Sequence, residues 1–358
     1  MPLGLIFMKW NDLTGNEILA KIPEDLDIND RILMQIFEIH DRGGEKGIIS
    51  LRVGSINSIS YYSGLETNYC VALFLNLDDD PDDYESGVLD ISLTILQNLD
   101  DKAYLKMFPS LFRQLLVYPT LNYEQRLAMI YQNNIKRQII NLLRGEGVIS
   151  QSELITWFKD NFSYGFTDIE PILSEFIQNG IINVLSVKGE RSLLIFFMKD
   201  LVTFRVPPFK LLINPFDCGI PKELVAVYQT ECNKFFQDYQ RSEEDNIKVI
   251  RLLCNPQVYE TLKLFRERAI NRKDLEMFKE KGVDDINFAI KLLTDAQMIG
   301  SFQDSKQTEF YILLTDFFIE FFTPEYILST IKTHHEQKIK SDQVLIKYLD
   351  LLKEANSS

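Results

Sequence analysis

Tyr69-Cys70-Val71-Ala72-Leu73-Phe74-Leu75-Asn76-Leu77 is apolar almost throughout. A strand with one wet face alternates apolar and polar residues, so an apolar run of this length reads as a strand covered on both faces. It is predicted to lie near the centre of a sheet. Working back, Ile48–Gly54 and Ile56–Tyr62 read as two strands around a turn near Gly54-Ser55. Before them, Asn29 or Asp30 caps a helix with Ile32, Leu33, Ile36, Phe37 and Ile39 on one side, ended by Gly43-Gly44 and Gly47. Earlier still, Gly4–Trp10 is a buried strand, Asn11–Gly15 a turn cluster, and Glu17–Ile22 a second strand stopped by Pro23. Working forward, the acidic stretch Asp78–Glu85 ends the sheet. Helices follow at Tyr84–Leu99 and Ala103–Val117, the second kinked or broken at Pro109. The order is strand, strand, helix, three strands, two helices.

The remaining two-thirds carry a repeat. After Thr120 a long helix begins. In the first copy Ile135–Leu143 is helical, Ser150 or Ser152 caps Glu153–Phe158, and Asp168 caps Ile169–Asn179; Ile181–Val187 and Leu193–Met198 form a hairpin around Lys188-Gly189-Glu190. In the second, Val258–Arg266 and Arg272–Phe278 are helices, Asp285 caps Ile286–Gln297, and Met298–Phe302 pairs with Phe310–Leu314 around Asp304-Ser305. Leu154 aligns with Leu275, Asp168-Ile169 with Asp285-Ile286, and Asp200 with Asp316, at nearly the same interval. Three helices and a β-wing, twice over, read as tandem winged helices. Pro207-Pro208, Asn214-Pro215 and Gly219-Ile220-Pro221 mark the linker between them, followed by a helix through Lys222–Tyr239. An amphipathic helix runs from Pro324 toward Lys353, with Ile331, Ile339, Leu345, Tyr348, Leu351 and Leu352, and packing is its expected use. The domains so drawn are 1–120, 121–206, a linker with connecting helix over 207–242, and 243–358 including the C-terminal helix.

A chain of 358 residues exceeds one ordinary core, and 46 % hydrophobic with 25 % charged residues excludes wholesale disorder and fibrous repeats. The net charge is −14, divided as −10 over residues 1–120 and −4 over the rest. Winged helices read DNA with a cationic third helix. Here Asp168–Asn179 holds three acidic residues and no cation, and Asp285–Gln297 holds Lys291 alone. Such surfaces neutralise almost no phosphate, so DNA is not an expected partner.

The sequence offers no catalytic constellation. His40 reads as a helix-end residue, and His334-His335, adjacent on a helix, point apart; all three read as capping or surface histidines. Gly43-Gly44-Glu45-Lys46-Gly47 precedes a strand, whereas a phosphate cradle needs a helix N-terminus. Asp78–Glu85 fails the EF-hand pattern at the positions that require Gly and Glu, and reads as carboxylates at a helix start. Cys70, Cys218, Cys232 and Cys254 form no C-x-x-C pair and are expected as reduced, largely buried thiols in a cytoplasmic protein. Met1–Trp10 reads as a strand rather than a signal peptide, and no segment has the apolar length of a membrane span. Neither cofactor nor metal is expected.

Leu5-Ile6-Phe7, Gly15, then Ile18-Leu19-Ala20-Lys21-Ile22-Pro23-Glu24-Asp25, and Ala72-Leu73-Phe74-Leu75-Asn76-Leu77, together with the element order, resemble the longin domain of the nitrogen permease regulator-like proteins, in a relative of archaeal type. The resemblance covers about the first third of the chain. It implies an α+β protein: a longin domain, with a five-stranded antiparallel sheet and helices, then two winged-helix domains and a C-terminal helix. It further implies a non-enzymatic adaptor that binds small GTPases or other longin or roadblock proteins, as a homo- or heterodimer, and leaves recruitment to a membrane through a partner open. The catalytic arginine of the family's GTPase-activating member lies in the loop before the last longin strand. The matching loop, Ser63–Tyr69, has none. Arg42 is the nearest exposed-looking candidate, against a plain role as a helix C-terminal cation. Arg31, Arg42, Gly64, Thr67 and Asn68 are the expected partner-binding residues. The alternatives are a winged-helix transcriptional regulator with a longin sensor and a GTPase-activating protein that uses Arg42.

Overall fold

A computed structural model describes the chain except for residues 1, 12–14, 44–46, 55, 66, 100–101, 163–168, 276–284 and 356–358. It is mixed α/β and divides into two compact units. One comprises Met1–Leu121, Gln138–Asp200 and Thr323–Ser358, the other Asn122–Arg137 and Leu201–Phe322. Among the described residues no helix is long and apolar enough to cross a membrane.

The first unit opens on β1 (Gly4–Asn11), β2 (Gly15–Ile22), α1 (Asp30–Gly43), β3 (Gly47–Val53), β4 (Ile56–Tyr62) and β5 (Tyr69–Phe74). These strands form one five-stranded sheet in the order β2-β1-β5-β4-β3, every pairing antiparallel, with β5 in the middle as its apolar run predicts. Successive side chains leave a strand on opposite faces. Ile6, Met8, Tyr62, Cys70, Ala72 and Phe74 therefore meet Leu33, Ile36 and Phe37 of α1. Leu5, Phe7, Ile59, Tyr61, Val71 and Leu73 are buried too, and the opposite face receives α2 (Glu85–Gln97) and α3 (Tyr104–Val117). Asn29 caps α1 by accepting the amide of Arg31 at 2.9 Å. α3 runs unbroken through Pro109, where a kink or break was expected. Pro109 stands in the second turn, so the helix forgoes only the bond to the Leu105 carbonyl.

The repeat extends further than the sequence pattern suggests. α4 (Tyr123–Gln132), α5 (Asn134–Glu146), β6 (Val148–Ser150), α6 (Gln151–Asn161), α7 (Glu170–Gln178), β7 (Ile182–Leu185), β8 (Leu194–Phe197) and β9 (Asp200–Val206) make the first copy. After α8 (Phe209–Ile213) and α9 (Val225–Asp238), the second copy is α10 (Glu243–Leu253), α11 (Pro256–Glu267), β10 (Ile270–Asn271), a 3-10 turn over 272–275, α12 (Ile286–Asp295), β11 (Ile299–Gln303), β12 (Glu309–Leu313) and β13 (Asp316–Phe322). The small sheets match, β6-β8-β7 and β10-β12-β11. Backbone bonds recur as well: Ile181 donates to Phe176 and Met298 to Leu293, while Met198 donates to Ile181 and Leu314 to Met298. The expected caps Ser150 and Asp285 hold α6 and α12; Asp168 lies outside the described residues.

Two expected long helices are each divided. The one after Thr120 breaks at Asn133, whose side chain accepts the amides of Ile135 and Lys136 and so starts α5. The one after Pro324 breaks at Lys338, in left-handed conformation at φ 56°, into α13 (Tyr326–Glu336) and α14 (Asp342–Ala355). These two helices belong to the first unit, with residues 138–200. The physical link is side-chain specific. The Tyr348 hydroxyl donates to the Phe197 carbonyl at 2.5 Å and its ring packs on Phe196.

Candidate functional site

The loop that joins β4 to β5 carries three of the five expected partner-binding residues. It is a closed structure. Gly64, at φ 93°, lets the chain reverse, and its carbonyl accepts the amides of Thr67 and Asn68. The hydroxyls of Ser63 and Thr67 lie 2.5 Å apart, and Ser63 Oγ accepts the Tyr69 amide at 2.9 Å. Asn68, at φ 59°, accepts the Tyr62 hydroxyl at 2.6 Å through its side chain and the Trp10 amide at 2.8 Å through its carbonyl. The polar groups of Thr67 and Asn68 are thus spent on holding the loop. Among the described residues of the loop, Leu65, 64 % exposed, is the one turned outward.

Beside the loop, Trp10 stacks on Phe37 at 4.1 Å and Phe37 meets Tyr62 edge-on at 5.6 Å. His40, read from the sequence as a capping or surface residue, is 1 % exposed and its Nε2 lies 2.9 Å from Ser60 Oγ. The imidazole is buried because His40 falls on the same helical face as Leu33, Ile36 and Phe37, one turn on from Phe37. These contacts place the loop against the C-terminal half of α1. Arg31 is exposed in the first turn, about 9 Å back along the axis from Phe37 at the rise of an α-helix. Gly64, Thr67 and Asn68 are therefore brought together, and Arg31 stands apart from them. Arg42 lies in the last turn of α1, and its side chain is outside the described residues. The outer side of α1 offers Arg31, Gln35 and Glu38, with Met34 45 % and Ile39 36 % exposed.

The acidic stretch is structural. Arg52, on β3, donates to the carbonyls of Leu77 and Asp79 at 3.1 and 2.9 Å, and Asn57 donates to those of Asn76 and Asp79. Asp80 caps the short 3-10 turn Pro81–Tyr84 that leads into α2. Burial pushes Glu85 above the usual carboxylate range, with Asp82 adding to the shift. Among the described residues no three His, Cys, Asp or Glu side chains converge as a metal would need.

In the two copies each hairpin makes a polar contact with another element. Glu190 in the first hairpin receives the Ser341 hydroxyl at 3.3 Å, and Ser305 in the second donates to Glu223 at 3.1 Å. α12 turns Phe288, 49 % exposed, outward beside Lys291. His334, read as a surface residue, is 6 % exposed. Burial and the neighbouring Lys340 hold its imidazole below the ordinary value of 6.5, against Glu146. His335 is exposed, with Nδ1 3.0 Å from Asp342. Cys70, Cys218 and Cys232 are buried free thiols, and Cys254 is a half-buried one. Burial pushes the Cys70 thiol up to about 12, so it is unreactive at neutral pH.

The hydroxyl that lies beside an imidazole, Ser60 Oγ next to His40 Nε2, is buried with it and closed to a substrate. What the arrangement offers chemically is shape: an apolar Leu65, a rigid loop and a mixed polar helix face. Sequence reasoning did not find Leu65, Trp10 or Phe37. The signal was present in the lone apolar residue of a polar loop and in the aromatic residue next to the end of β1. Models of known families and curated proteins give no match to the chain.

Proposed function

We propose that residues 1–121 are a longin domain, that the two copies are winged helices, and that the chain is a non-enzymatic, cytoplasmic adaptor. In this reading it holds a small GTPase or a longin or roadblock partner against α1 and the Ser63–Tyr69 loop. The observation that carries the reading is the antiparallel sheet β2-β1-β5-β4-β3 with α1 on one face and α2 and α3 on the other. The inward-turned polar groups of the loop support binding over catalysis, because a finger residue must reach a phosphate from outside. The third helices, acidic over Asp168–Asn179 and with Lys291 as the single cation over Asp285–Gln297, weigh against a DNA reader.

The test is retention on the immobilised full chain from source-cell extract, with a GTP analogue or with GDP. A small GTPase, or a longin or roadblock protein, retained by wild type and reduced about tenfold by Leu65→Glu, is the expected result. Retention of DNA-bound machinery alone overturns it. Purified chain added to the retained GTPase is expected to leave hydrolysis unchanged. Stimulation that Arg42→Ala abolishes would replace the adaptor with an activating protein.

A further inference from the structure

Within the second unit, one face of α9 borders an open cleft of about 460 Å³, the size of a small-ligand pocket. Glu231, Lys234, Phe235 and Asp238 are spaced to share that face. Tyr239, Asp245, Gln297 and Leu314 also line the cleft. The side chains of Glu231 and Asp238 make no ion pair or hydrogen bond, and Lys234, between them, makes none either. The same rings already hold one guanidinium. Phe235 and Tyr239 stack at 5.3 Å, and Arg205 Cζ lies over both, 5.4 and 5.9 Å from their centroids. Arg205 also grips both oxygens of Asp245, at 2.8 and 2.7 Å. Flat rings beside a carboxylate are the setting a planar cation prefers.

The first copy supplies a second, independent observation. Backbone bonds put the copies in register: Gly180 donates to Ile177 as Gln297 does to Thr294, and Lys199 to Ile181 as Thr315 does to Met298. Gly180 and Gln297 are both left-handed, at φ 67° and 55°. In the first copy Lys199 Nζ lies 3.6 Å from the point where a Cβ on Gly180 would stand. In the second, Thr315 replaces that lysine and its hydroxyl bonds the Gln297 carbonyl at 3.0 Å. The first copy brings its own ammonium to this turn. The second lacks the lysine and lines the cleft at the same turn with two unpaired carboxylates.

We propose that this cleft binds a guanidinium group on an alkyl chain, either a peptide arginine or a free alkylguanidine. The head lies between Glu231 and Asp238, and the stem lies on Phe235, Tyr239 and Leu314. Lys234 competes for the same carboxylates and weakens the site.

The test titrates the full chain at low salt with agmatine and with N-acetyl-arginine amide, read by amide chemical shifts. Saturable shifts confined to residues 231–245 and 294–314 are expected with at least one probe. Tighter binding of agmatine assigns the site to free alkylguanidines, and tighter binding of the amide to peptide arginine. Glu231→Gln and Asp238→Asn should each weaken binding roughly three- to fivefold, and Lys234→Met should tighten it by a similar factor. All three side chains are exposed, so thermal unfolding of the variants should match wild type and separate a lost contact from a lost fold. No saturable shift with either probe, or shifts elsewhere, overturns the proposal. So does binding indifferent to all three substitutions. Tightening on loss of a carboxylate, or weakening on loss of Lys234, would mark an anion site and overturn it too.

Discussion

Arg144 and Arg266 stand at matching points of the two copies. Arg144 Nε lies 2.8 Å from Asp200 and Arg266 Nε 2.8 Å from Asp316, each aspartate opening the strand after the hairpin. Arg266 also grips Glu124 with both terminal nitrogens, at 2.7 and 2.8 Å. Burial raises Asp316 above the usual carboxylate range even though Arg266 opposes it. Removing the guanidinium would leave Glu124 and Asp316 facing each other, so Arg266→Met should cost about 3–5 kcal/mol in denaturant unfolding. A loss below about 1 kcal/mol would show that the network is wet. Acid acts at two other points. Burial pushes Asp245 up, but Arg205, bound to both its oxygens, holds it below its ordinary value of 3.8. Its contribution is full above that ordinary value and is lost as the pH falls from there through the lower value of the folded state. His334 is also held low, so the unfolded chain takes up its proton first. Stability is full above about pH 6.5 and declines below. Protection factors of the α13 and α14 amides, exchange rates referred to the intrinsic rate at each pH, should therefore fall from pH 7 to 5, and His334→Gln should flatten that dependence.

At the scale of elements, the first third was legible because its strands and helices announce themselves locally. Cys70–Phe74 is an unbroken apolar run and is buried throughout, α1 shows its apolar stripe, and Pro23 and the glycines mark the ends. What stayed hidden depends on partners distant in sequence. β9 and β13 pair with each other across more than a hundred residues, and Phe317–Phe322 alone reads only as an aromatic run. The helix breaks at Asn133 and Lys338 interrupt patterns that stay apolar on both sides, so periodicity runs through them. Asn133 and its counterpart Asn255, which accepts the amides of Gln257 and Val258, nonetheless set two helix starts. Asn133→Ala and Asn255→Ala should each lower stability by about 1 kcal/mol, read by thermal unfolding. The candidate site was legible as a loop but not as a surface. Sequence shows that Thr67 and Asn68 are polar, not that their side chains bond inward. It groups Arg31 with them although α1 carries it to the other end. Gly64→Ala forces a side chain into φ 93° and should cost about 1–2 kcal/mol without touching Leu65. A loop that tolerates it unchanged would have to be far softer than its bonds imply.

For the whole molecule, sequence boundaries and structural boundaries differ. The chain enters and leaves each unit more than once, and 121–206 taken as a block lacks the helices that cover it. Deleting 323–358 should strip amide protection from residues 138–200 and uncover Phe196, while residues 201–322 keep theirs. Equal loss in both units would mean that they unfold as one. The same arrangement bears on how the protein is made. Phe196 and Phe197 leave the ribosome well before Tyr348, with more than a hundred residues still to come. At ordinary elongation rates that interval is on the order of ten seconds. During it the growing chain carries an incomplete core, which makes residues 138–200 a natural hold for a chaperone that binds nascent apolar segments.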